Sequence, residues 1–133
     1  MATVFVKLNL KDQSEIVVLG APGSFEPELA DLAAVRVHRD LESIQETGFV
    51  LAFVTRKNEV DTLAGPIAAR AKGDAIVWFA YPKGTSRRYT CDFNRDNGWD
   101  ALQALGFETV RAVAIDEDWS ALRLRRSEYI KSH

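Results

Sequence analysis

Sulfur and histidine are scarce in this chain: its 133 residues include one cysteine, one methionine and two histidines. The single cysteine, Cys91, excludes an internal disulfide and a cysteine-based zinc cluster. His38 and His133 stand far apart, with no carboxylate spacing beside them, so no metal site is expected. No apolar run approaches the ~20 residues of a membrane-spanning helix. The start of the chain alternates apolar and polar residues where a signal peptide would carry an apolar core. An excess of one charge sign is also missing. With 17 Lys and Arg against 19 Asp and Glu, the net charge is −2, which excludes the basic signature of a nucleic-acid binder. No membrane or nucleic-acid partner is expected, and the cytoplasm is the expected location. What remains is an ordinary globular composition, 47% hydrophobic and 27% charged, at a length that suits a single domain with a sizeable core.

The chain is organised around Ala75–Lys83, A-I-V-W-F-A-Y-P-K. Seven consecutive apolar residues, rich in aromatic and β-branched types, predict a strand buried on both faces, the middle of a sheet covered by helices. Glu15–Leu19 and Phe49–Thr55 read as further buried strands, and Ala34–His38 as a weaker one. Residues Thr3 to Asp12 are compatible with a short strand or a helical turn. Ser24 to Leu32 holds a short helix with Pro27 in its first turn. Asp40 caps a short helix carrying Leu41 and Ile44 and ending at Gly48. After Phe49–Thr55, Asn58 is an N-cap. It precedes a stripe of Val60, Leu63, Ala64, Ile67, Ala68 and Ala71 at helical spacing. Pro66 inside that stripe predicts a kinked or broken helix.

Lys83 to Asn97 is the longest stretch without apolar periodicity. A helix with Trp99, Leu102 and Leu105 on one face follows, stopped by Gly106. Glu108–Ile115 is a strand, Asp116-Glu117-Asp118 turns the chain, and Trp119–Arg126 returns antiparallel. In that last strand Leu122 and Leu124 alternate with Arg123 and Arg125, so one face is wet. The order predicts a small three-layer, Rossmann-like α/β sandwich of residues 1–133. Its mostly parallel sheet has five or six strands and closes with an antiparallel C-terminal hairpin strand.

In an open sheet of this kind ligands sit outside the carboxyl ends of the strands. The long loop springs from that edge. It brings Lys83, Ser86, Arg87, Arg88 and Arg95, opposed by Asp92 and Asp96 alone. With Arg56 and Lys57 close by, these residues suit a small anion, since guanidinium forks match phosphate and carboxylate. The competing use is a solvated loop whose arginines pair with Asp92, Asp96 and Asp116. Gly84-Thr85-Ser86 follows a strand but lacks the G-x-x-x-x-G-K-[ST] spacing of a phosphate loop. Cys91 lies among arginines, which would favour its thiolate, yet neither histidine stands near it in sequence. No catalytic residue set is expected.

Three stretches, Val18–Pro22, Val77–Lys83 and Arg95–Arg123, together resemble an uncharacterised bacterial domain family of unknown function. The element order is also similar to that of a reduced class I methyltransferase. Such a fold implies an adenosyl cofactor on a G-x-G-x-G turn after the first strand and an acid after the second. Here the turn reads Gly20-Ala21-Pro22-Gly23-Ser24 and the acid is Asp40, so the resemblance implies a cofactor site that is eroded or absent; no cofactor is expected. The leading expectation is a non-catalytic module that binds a small anionic ligand at the carboxyl edge. The alternatives are an interaction module using its hairpin edge and a degenerate methyltransferase-like enzyme.

Overall fold

The computed structural model describes residues 3–130 apart from 33, 95 and 96. In chain order it holds α1 (Thr3–Lys7), β1 (Glu15–Leu19), α2 (Glu26–Ala30), β2 (Arg36–His38), β3 (Thr47–Phe53), α3 (Lys57–Arg70), β4 (Ala71–Pro82), α4 (Asp100–Ala104), β5 (Phe107–Ala114) and β6 (Trp119–Arg126). The six strands form one sheet in the order β2-β1-β3-β4-β6-β5. Strands β2, β1, β3 and β4 run parallel, and β6 pairs antiparallel with both β4 and β5. This is the Rossmann-like sheet that the sequence predicts.

Strand β4 is buried without interruption from Ala75 to Pro82. Its alternate side chains feed two separate cores. Val77 and Phe79 join Val17, Val50, Leu122 and Leu124 on the side covered by Val60, Ala64 and Ile67 of α3 and Leu102 of α4. Ile76, Trp78 and Ala80 join Ile16, Val18, Phe49 and Leu51 on the other side, under Phe5 and Leu8 at the chain start and Leu29 of α2. Period-two alternation makes both faces of this strand apolar, so both need a cover, and three layers result. The buried Trp78 indole donates to the Leu8 carbonyl at 2.8 Å. That bond settles the first segment as a helix docked over the middle of the sheet.

The structure corrects several local expectations. Asp40 to Gly48 forms no helix. Asp40 accepts the Ser43 N–H at 2.9 Å and Leu41 anchors the turn in the core, but the stretch then enters β3. Helix α3 starts one residue before Asn58, with Arg56 extended at the N-cap position. Glu59 folds back to accept the N–H groups of Thr55 and Arg56 at 2.8 and 3.0 Å. The helix is continuous through Pro66. Pro66 and Thr62 are both exposed, so the carbonyl that the missing N–H leaves free is open to water, and the ring lies away from the core.

Replacing Trp78 by Phe keeps an aromatic filling but leaves the buried Leu8 carbonyl without its donor. We expect a loss of about 1–3 kcal/mol of stability, read by chemical denaturation. Amide exchange should accelerate in residues 4–10 before it does in β4.

Candidate functional site at the carboxyl edge of the sheet

Strand order reverses at β1, which lies between β2 and β3. The carboxyl ends of β1 and β3 therefore flank the crevice in which open α/β sheets hold ligands. Gly20 ends β1 with φ +66°, and a Cβ there would stand 2.9 Å from the Phe53 carbonyl oxygen. Only glycine lets this turn press on the end of β3. Behind it Gly23–Phe25 makes a single 3-10 turn before α2. The Phe25 ring packs on Phe53 at 4.9 Å, Phe53 meets Trp119 edge-on at 5.2 Å, and Tyr89 lies 4.9 Å from Trp119. An aromatic row thus runs beneath this edge. The buried Trp119 indole N–H has no hydrogen-bond partner among the described residues. Its backbone N–H goes to Asp116 at 2.9 Å.

At the end of β2, Arg39 closes a two-pronged bond on Glu26 at 2.7 and 2.8 Å. That bond holds the Glu26 carboxyl below the usual range. Asp40 is likewise lowered, chiefly by the Ser43 N–H. His38 turns the other way and meets Glu15 at 2.8 Å.

The long loop folds back over the ends of β3 and β4. Asp92 accepts the Lys57 N–H at 2.7 Å, at the first turn of α3. The Lys83 N–H donates to the Asp118 carbonyl at 2.8 Å. The Ser86 hydroxyl donates to the Asp118 carboxylate at 2.9 Å, and Arg88 stands 3.9 Å from that carboxylate. Three clefts open among these residues. One, of about 440 Å³, lies between Arg56, Arg88 and Asp92. A second, of about 260 Å³, is lined by Lys83, Ser86 and Phe93. A third, of about 410 Å³, sets Arg87 and Arg88 against Glu117 and Asp118.

Of the residues that the sequence singles out, Arg56 and Arg88 thus share one cleft, and Lys83 and Ser86 share another. Lys57 is engaged, its ammonium 3.0 Å from Asp61. Arg95 and Asp96 lie outside the described residues. Sequence reasoning missed Glu59 and Asp118, the acids that tie this edge together. Glu59 had a signal, its place three residues past Arg56, where a first-turn glutamate can reach back. Cys91 is half-buried beside Asp92 at this edge. Burial pushes its thiol up, with Asp92 and Glu59 adding to the effect, so it is a packing residue and not an activated thiolate. Among the described residues no group of three His, Cys, Asp or Glu could hold a metal ion.

No protein-family model matches the chain, and no curated protein matches it in sequence. Solved structures do. The chain is similar to a SAM-dependent methyltransferase from Aquifex aeolicus, with TM-score 0.68 and 13% identity, covering 92% of this chain and 87% of that one. It is similar to magnesium protoporphyrin IX methyltransferase from Synechocystis PCC 6803, with TM-score 0.59 and 12% identity, over 94% of this chain and 82% of that one. It also overlays a fibrillarin pre-rRNA processing protein from Methanococcus jannaschii, with TM-score 0.56 and 14% identity, over 87% of this chain and 67% of that one. At such identities the likeness shows a methyltransferase-like fold. It overturns the leading expectation of a non-catalytic module for a small anion, because the frame is shared with methyltransferases and the second alternative, a degenerate methyltransferase-like enzyme, fits it better.

Two outcomes follow from the geometry of this edge. Asp92→Ala should lower stability by about 1 kcal/mol, as loss of a helix cap does, with faster exchange at the Lys57 amide. Because the native Glu26 carboxyl is lowered, its contribution is present above the ordinary glutamate range, near pKa ~4.3, and is lost as pH falls through the native value. An Arg39→Gln protein should lack that part of the acid dependence in a pH series of melting curves.

Proposed function

We propose that this chain is a degenerate methyltransferase-like enzyme whose reaction crevice lies at the carboxyl ends of β1 and β3. One observation carries the reading: the sheet reverses at β1 and sets antiparallel β6 between β4 and β5, in a chain that overlays a SAM-dependent methyltransferase along 92% of its length. In this reading residues 1–133 work as a single domain. Lys83, Ser86, Arg87 and Arg88, with Arg56 and Lys57 behind them, form the substrate side of the crevice.

The residues at the crevice do not fit S-adenosylmethionine as a tightly held group. The Gly20 turn is spent on contact with Phe53, since the space a Cβ would take ends at the Phe53 carbonyl. Pro22 offers no N–H to a carboxylate or ribose. Arg39 bonds across to Glu26 at the start of α2, between the ends of β1 and β2. Asp40, the acid that follows β2, spends one oxygen on Ser43. These features support the degenerate form of the reading: the sheet is kept while the cofactor edge is occupied by the chain's own groups.

Isothermal calorimetry with S-adenosylmethionine tests this. We expect a Kd weaker than about 100 μM, or roughly −5.5 kcal/mol. It should become several-fold tighter in Glu26→Ala, where Arg39 is released. A micromolar Kd in the unmodified chain would show an intact cofactor edge and overturn the degeneracy. Absence of binding at millimolar ligand in both proteins would remove the cofactor from the reading altogether.

A further inference from the structure

A second concentration of charge lies away from the crevice, on the outer face of the β5–β6 hairpin. Arg111 and Arg123 are direct cross-strand partners in the register of this pair. Opposed residues of an antiparallel pair share a face, and like charges placed so are destabilising. Arg125, two residues on, faces the same way and gives both prongs to Asp74 at 2.6 and 2.8 Å. The only other acid in register here is Glu108, opposite Arg125. With Lys7, whose ammonium reaches the Ala114 carbonyl, four cations share this face with Asp74 and Glu108 among the described residues.

The arginines are held in place. The Arg111 guanidinium lies 5.7 Å above the Trp78 ring and donates one N–H to the Lys7 carbonyl at 2.9 Å. Arg123 is half-buried, and its Nε is shielded from water with no hydrogen-bond partner among the described residues. Burial first, then the neighbouring Arg125 and Arg111, disfavour its charged form, and the Asp74 carboxylate offsets them only in part. A half-buried guanidinium beside like charges costs stability unless an anion compensates it. Among the described residues no carboxylate bonds to Arg123. A guanidinium group binds an oxyanion by charge-assisted N–H bonds, and two arginines paired across the strands on one face can each supply them.

We propose that Arg111 and Arg123 form a phosphate-binding fork on the outer face of the β5–β6 hairpin. The site is flat and built on regular strands, so the phosphate enters from solvent, free or as part of a larger phosphate-bearing molecule. It is independent of the crevice and of the function proposed there.

Thermal melting with inorganic phosphate, against chloride at matched ionic strength, is the test. Saturating phosphate should raise Tm by about 3 °C or more, because a ligand that binds only the folded chain stabilises it. The response should vanish in Arg111→Gln, an exposed position, and persist in the double variant Arg87→Ala/Arg88→Ala. A parallel titration with a single-stranded oligonucleotide separates the sources. The same shift at far lower concentration identifies a phosphodiester chain, and a response to inorganic phosphate alone identifies a small ligand. No shift with either probe, a response intact in Arg111→Gln, or a response lost in the loop double variant would overturn the proposal.

Discussion

The structure depends on the burial of β4 on both faces. Eight successive residues, Ala75 to Pro82, are buried. Fully burying one large apolar side chain is worth about 1.5–3 kcal/mol, so neither face can stay open. One face is covered by α3 and α4. The other takes the short first helix, which is fixed by the hydrogen bond from the Trp78 indole nitrogen to the Leu8 carbonyl. A five-residue helix has little stability of its own. Its position follows from the strand, not from its own sequence.

At the carboxyl edge the same chain satisfies itself. Orphan N–H groups at the start of α3 go to Glu59 and Asp92. The Lys83 N–H and the Ser86 hydroxyl go to Asp118, and Arg39 goes to Glu26. Each bond takes up a group that in an open crevice would be free for a ligand. The edge is therefore preorganised around its own acids, and a reactant there competes with intramolecular partners.

The strands were legible in sequence because burial on two faces leaves long apolar runs, as in Ile16–Leu19 and Phe49–Phe53. The last strand was legible because Leu122 and Leu124 alternate with arginines. The extension of β4 back to Ala71 was not, since Lys72-Gly73-Asp74 reads as a turn and Gly73 does have φ +58°. The helix expected after Asp40 failed for a related reason. A capping aspartate acts the same way in an isolated turn as at a helix start, and only the apolar stripe behind it tells the two apart. Within the site, the basic loop was visible as composition. Its acidic partner Asp118 was not, because it reaches the loop from the β5–β6 turn, and such a pairing depends on the fold.

The position of β6 carries a consequence for how the chain comes to be folded. Strand β4, the longest in the sheet, needs β6 along its second edge, and that partner ends only at Arg126. During synthesis β1, β3 and β4 can assemble while β6 is still within the ribosome. For that interval the Ala75–Pro82 edge presents unpaired backbone groups and bare aromatic side chains, the features that recruit foreign strands. The nascent chain is thus most vulnerable to aggregation after its longest strand has emerged and before its last strand has. A chaperone acting on it would have its greatest effect there.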